Sequence, residues 1–248
     1  MTAAPQPLDA LLAMFAGAKI VDLSARLEND APIWPSHPPL IIHKTITHEK
    51  DGYFTNSIFM AEHTGTHVDA PAHIHADQPD ATIDVAPLTN LIGSACVIDV
   101  SALDLGPGET LGEGAILDWE AKHGRIQSGE IVLINFGWYA KHWKMGAAGK
   151  HYVRNQPGLD GPAVKLLFER GAKALGSDCT NTDTPSKDGV GAHSYAHNDY
   201  FLKHGRPLIE TLVNLETLPP RVLFIALPLK IKGGSGSPIR PIAVIPAE

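Results

Sequence analysis

His63, His67, Asp69 and His73 all fall at odd positions of the eleven-residue segment His63-Thr64-Gly65-Thr66-His67-Val68-Asp69-Ala70-Pro71-Ala72-His73. On an extended chain, residues two apart share a face. The preceding Ser57-Ile58-Phe59-Met60 reads as a strand, and if the chain continues extended, all four side chains point the same way. A helix would also align His63 with His67, but Gly65 and Pro71 argue against one. Gly65, lacking a side chain between the two histidines, would leave room for an ion and its water. Neutral imidazole with carboxylate suits Zn²⁺ or a similar first-row cation, and three such ligands leave a coordination position open for chemistry. A lone His-Asp pair would be read as structural. Four potential ligands in one register point to a metal-dependent enzyme.

Other segments carry weaker signals. Asp178-Cys179-Thr180-Asn181-Thr182-Asp183 follows an expected strand, where functional loops often sit, although short polar residues there are also ordinary turn chemistry. His193, His197 and His204 lie within twelve residues and are followed by Glu210. One or two of these histidines could reach a metal, and local pattern does not say which. The glycine-rich run Lys230 to Arg240 could present backbone N–H groups to an anionic or carbonyl oxygen. It lacks the spacing of a nucleotide loop, and the absence of a Gly-x-Ser-x-Gly elbow counts against a serine hydrolase.

These groups need a scaffold, and 248 residues with 44% hydrophobic content suffice for one sizeable domain. Residues 1–19 are expected to form an N-terminal helical extension and 20–248 a single domain. Ile20 to Ser24, Leu40 to Thr47 and Asn56 to Ala61 read as strands of a β-rich beginning, separated by a proline-rich loop over 32–39. The continuous apolar runs Ala95 to Val100, Ile131 to Phe136 and Val222 to Leu227 read as strands buried on both faces, and Lys173 to Asp178 as a shorter one. Helices are expected over Glu113 to His123, closed by Gly124, and over Gly161 to Arg170, capped by Asp160. The fold class is therefore α/β with a largely buried sheet. A net charge of -7 without a basic run excludes nucleic acid and anionic membrane as partners. Two distant cysteines, Cys96 and Cys179, make no disulfide framework and are read as reduced thiols of a cytoplasmic protein. The apolar run over 8–16 has neither the flanks of a secretion signal nor the length of a membrane span.

The string His-x-Gly-Thr-His-x-Asp-x-Pro-x-His resembles the signature of the cyclase family of metal-dependent hydrolases, which includes bacterial kynurenine formamidase and isatin hydrolase. Further segments fall in the family's order: Asp22-Leu23-Ser24, Pro32-Ile33-Trp34-Pro35, Gly137-Trp138, Pro157-Gly158-Leu159, Gly176-Ser177-Asp178 with Asp183, Ile209 to Leu215, and Pro228 through Arg240. The resemblance implies a compact swivelling β/β/α fold assembled as a homodimer or homotetramer. It implies His63, His67 and Asp69 as ligands of a primary Mn²⁺ or Zn²⁺, with His73 as general acid/base. In the formamidase branch a second metal would be held by Asp69 with His197 and Glu210, whereas the isatin hydrolase branch uses one Mn²⁺. Chain length and the insertion around Trp143 to Asn155 lean towards the isatin hydrolase branch.

The expected activity is hydrolysis of an amide bond in a small aromatic or cyclic substrate by metal-activated water, with Trp34 and Phe59 as candidates to stack on it. Two alternatives differ in kind. One is a lactone or ester hydrolase of the same family. The other is a non-catalytic, metal-stabilised binding protein, which would be expected to close its fourth coordination position.

Overall fold

Two cores sit on either face of one sheet, and the buried strands feed both by simple alternation. In Ile131–Asn135, Val132 and Ile134 enter one core while Ile131 and Leu133 enter the other. Cys96 and Ile98 divide from Ala95 and Val97 in the same way along Ile92–Asp99. That two-sided burial is why these segments read as unbroken apolar runs. The computed structural model describes residues 8, 9, 12 and 15–247. Most of the expected N-terminal helix lies outside the described residues.

The strands used below are β1 (Lys19–Asp22), β2 (Ile41–Ile46), β3 (Thr55–Phe59), β4 (His67–Asp69), β5 (Ile92–Asp99), β6 (Ile131–Asn135), β7 (Ala174–Ser177), β8 (Leu208–Glu210), β9 (Arg221–Ile225), β10 (Gly236–Pro238) and β11 (Ile242–Ile245). Nine of them form a single mixed sheet in the order β1-β11-β9-β5-β6-β7-β8-β4-β10. Its centre, β5-β6-β7-β8, is parallel, and its flanks are antiparallel. β2 and β3 pair only with each other, as a separate hairpin. The α/β class and the mixed, largely buried sheet are as the sequence predicts.

Helix α1 (Glu113–His123) has the predicted bounds and stops at Gly124, whose φ of 85° suits glycine. Helix α2 (Trp138–His142) is short. Helix α3 (Gly161–Glu169) starts where the Asp160 side chain accepts a hydrogen bond from the Ala163 amide, with Pro162 in its first turn. Helix α4 (Tyr195–Asn198) carries His197. Cys96 and Cys179 are both buried and unpaired with each other. Among the described residues, no helix is long and apolar enough to cross a membrane.

Asp178, at the end of β7, is a structural carboxylate. It accepts hydrogen bonds from the amides of Phe136 and Tyr139 and so fixes the turn into α2. Burial raises its pKa to about 6 against the opposing pull of those amides. A raised folded value means the protonated form is favoured by folding. The corresponding stability is full below the ordinary 3.8 and lost as pH rises through about 6. Urea unfolding of wild type and Asp178→Asn at pH 4.5 and 7.5 should show the difference moving in favour of the variant at the higher pH, by on the order of 3 kcal/mol. A pH-independent difference would contradict this.

Candidate metal centre and active site

β4 is only three residues long, yet it lies between β8 and β10 and is buried throughout. Alternation puts His67 and Asp69 on one face, with Val68 in the core behind them. The β4–β8 register sets Glu210 directly opposite His67. Cross-strand partners share a face, so a pairing between residues 143 positions apart delivers a third ligand-type side chain.

The expectation of one extended segment from His63 to His73 is corrected here. Only His67–Asp69 is strand. His63 reaches the cluster through a bend at Gly65, whose φ is +63° and where an added Cβ would stand 2.9 Å from Leu27 Cδ2. The glycine is thus required by the turn and by Leu27, not only by space for an ion. His73 arrives from a 3-10 turn, Pro71–His73, and stacks on His63 with ring centroids 3.9 Å apart.

Two groups of donors converge: His63, His67 and Asp69, and then Asp69, His197 and Glu210. His67 Nε2 is 3.4 Å from Asp69 Oδ1 and 3.3 Å from Glu210 Oε2, and His197 Nε2 is 3.3 Å from Asp69 Oδ2 and 3.4 Å from Glu210 Oε1. Donors held about 2.0–2.1 Å from a tetrahedral ion stand about 3.3–3.4 Å apart, so these separations fit a shared cation. His63 Nδ1, at 2.7 Å from Asp69 Oδ1, is closer and must open slightly to admit one. Asp69 belongs to both groups and is placed to bridge them.

Each imidazole is oriented by a bond on its far side, the usual device for fixing a ligand's tautomer. The His67 Nδ1–H donates to the Gly65 carbonyl. The His63 Nε2–H donates to Ser235 Oγ, which in turn donates to Glu62 Oε2. His197 Nδ1 lies 3.1 Å from Asp183 Oδ1, and that aspartate also accepts from Ser194 Oγ and the Ala196 amide. Glu210 Oε1 accepts from the Thr182 amide. Immediately after it Thr211 adopts a left-handed φ of 57°, with its carbonyl bonded by the Thr66 hydroxyl. A β-branched residue there stores about 1–3 kcal/mol, held at the end of β8 beside the cluster.

Three carboxylates, Asp69, Asp183 and Glu210, are buried here. Buried negative charge requires a compensating cation. In the metal-free chain protons supply it. Burial alone would push His67 down, but hydrogen bonds and charge from Asp69 and Glu210 raise it to about 10. His197 is raised well above its ordinary value against the same burial, by Asp183, Asp69 and Glu210. A donor set that draws protons so strongly is chemically suited to divalent metal. His73 behaves oppositely: burial lowers its pKa, and the neighbouring imidazoles His63 and His197 oppose its protonation.

The cluster forms one wall of a cavity of about 320 Å³ that also takes in Trp34, His37, His73 and Asn181. Trp34 therefore lies where the sequence reading places it. Phe59 does not line this cavity; it sits on the β2–β3 hairpin, 58% exposed. Of the three downstream histidines, only His197 reaches the site. His193 pairs with Asp199, and His204 bonds the Tyr200 carbonyl. The expectation that the 230–240 run offers its amides to a substrate is also corrected. Ser235 supports His63, and a Cβ at Gly236 would come within 2.5 Å of His63 Cε1, so the segment packs behind a ligand. Sequence reasoning missed Glu62, Ser235, Asp183 and His37 as parts of the site. Only Asp183 had a signal, its place in a polar loop after a strand.

The Cyclase family model matches residues 21–184. The isatin hydrolase of Roseibium aggregatum is 32% identical over 251 residues, covering 92% of this chain and 92% of that protein. The chain belongs to the cyclase family. The kynurenine formamidase of Bacillus mycoides is 27% identical, covering 90% of this chain and 95% of its own. Among solved structures, isatin hydrolase A from Ralstonia solanacearum superposes with a TM-score of 0.82 at 32% identity, covering 99% of each chain. The similarity to these cyclase-family proteins thus runs through the whole of β4 and its surroundings.

Proposed function

We propose that this cyclase-family chain is a metal-dependent amidohydrolase that opens or cleaves a C–N bond in a small aromatic or cyclic amide. The observation that carries the reading is His73. Its imidazole stacks on His63 at the cavity wall, outside both donor groups, and burial keeps it below the ordinary histidine value. A neutral, unliganded imidazole beside a metal cluster is equipped to take a proton and return it. A purely structural metal site has no use for one.

Two divalent ions, Zn²⁺ or Mn²⁺, fit the donors, with His63, His67 and Asp69 around one and Asp69, His197 and Glu210 around the other. Bound there, the metal would polarise the scissile carbonyl and lower the pKa of water towards neutrality. His73 takes the proton from the attacking water and delivers it to the leaving nitrogen. Asp183 and the Glu62–Ser235 pair keep His197 and His63 turned towards the cluster. Trp34, 43% exposed at the cavity, offers a face to an aromatic ring.

The kinship with isatin hydrolase and kynurenine formamidase supports the amide over an ester. A homodimer or homotetramer belongs to the same reading, supported by the exposed Ile41, Ile58 and Phe59 on the β2–β3 hairpin. Assay of zinc- or manganese-loaded protein with isatin and with formanilide tests the activity. Chelator-sensitive hydrolysis of at least one is expected. Failure on both, with metal bound, would overturn the reading.

A further inference from the structure

Among the described residues, three buried side-chain polar atoms have no hydrogen-bond partner: His37 Nδ1, Asn135 Nδ2 and Thr184 Oγ1. Only His37 lines the cavity of the metal centre. Its position is set by a rigid turn, in which the His37 amide bonds the Trp34 carbonyl between Pro35 and Pro38. Its ring lies 5.9 Å from that of His63, centroid to centroid. It belongs to neither group of converging metal donors.

An unpaired buried polar atom costs about 1–3 kcal/mol, and one that faces a substrate cavity is satisfied when the substrate brings the partner. The His37 ring donates a hydrogen bond to the backbone of His63. Because Nδ1 makes no bond, that donor is Nε2, and in a neutral imidazole the lone pair then sits on Nδ1. Nδ1 is thus an acceptor awaiting a donor. In an amide whose carbonyl is turned towards the metal cluster, the donor left over is its N–H. An ester or lactone has no hydrogen at that position.

We propose that His37 determines specificity in this site, its Nδ1 accepting a hydrogen bond from the N–H of the scissile amide. The inference rests on the amidohydrolase reading and deepens it, because it says how the site tells amides from esters and from N-substituted amides. A site built to bond a substrate N–H discriminates against analogues that lack it, since its own polar atom is then left unpaired.

The test compares isatin with N-methylisatin, and formanilide with N-methylformanilide, on metal-loaded wild type, His37→Phe and His37→Asn. Wild type should favour the N–H member of a pair by about ten- to a hundredfold in kcat/KM. His37→Phe keeps the ring volume but removes the acceptor, and should bring the two members within about threefold by slowing the N–H substrate alone. His37→Asn, whose side-chain oxygen can accept, should restore part of the preference. Metal content should be unchanged in both variants. An undiminished preference in His37→Phe and His37→Asn would overturn the role of His37 while leaving the amidohydrolase reading intact. Loss of metal would make His37 a ligand and also overturn it. If wild type hydrolyses none of the four compounds, the reading and the inference fall together.

Discussion

Replacing His67 with alanine will remove bound metal and activity together. Its Nε2 stands between Asp69 and Glu210, at 3.4 and 3.3 Å, so it touches both carboxylates that the cations would share. Losing an outer hydrogen-bond partner typically weakens metal affinity 10–100-fold; loss of a direct ligand should cost more than a hundredfold. The metal-free variant should also be less stable. In wild type the protonated imidazole, raised to about 10, compensates buried carboxylates, and truncating one partner of a buried pair costs about 3–5 kcal/mol. Atomic absorption of the purified variant and urea unfolding in chelator check the two halves. A variant that kept full metal would remove His67 from the ligand set.

The second large effect separates binding from chemistry. His73→Ala should keep wild-type metal content and fold while kcat falls by about 10²–10⁴, the range for losing a positioned general acid/base. Equal metal loss in His73→Ala and His67→Ala would instead make His73 a ligand. The wild-type pH profile carries a matching signature. The base must be neutral to act, so activity falls as pH drops through the His73 pKa. Burial and then the charges of His63 and His197 lower that value against the pull of Asp69 and Glu210, which places the acidic limb below 6.5. An acidic limb above 6.5, unchanged in His73→Gln, would contradict the assignment.

How much of this was legible in the chain depended on how local each feature is. His67 and Asp69 could be read because two-residue alternation fixes their shared face whatever the strand's neighbours. His63 and His73 were found by type, but the reason they converge was misread: a left-handed glycine and a 3-10 turn carry them in, not an extended chain. His197 and Glu210 could be named only through family resemblance. What unites them with Asp69 is the β4–β8 register, a contact that no short window of sequence contains. β8 and β10, at three residues each, are too short to show a period. The helix ends were easier, because Asp160 and Gly124 act on their own neighbours. Glu62, Ser235 and His37 were invisible for the opposite reason: each is an ordinary loop residue until the fold places it against an imidazole.

The cluster's cations are the claim on which the rest depends, and crystals grown with zinc or manganese test it most directly, through anomalous difference density at the metal's absorption edge. The account predicts two peaks on either side of Asp69, one within ligand distance of His63 and His67 and the other within reach of His197 and Glu210. A map without a peak at Asp69, with these side chains still hydrogen-bonded to one another under saturating metal, would contradict it.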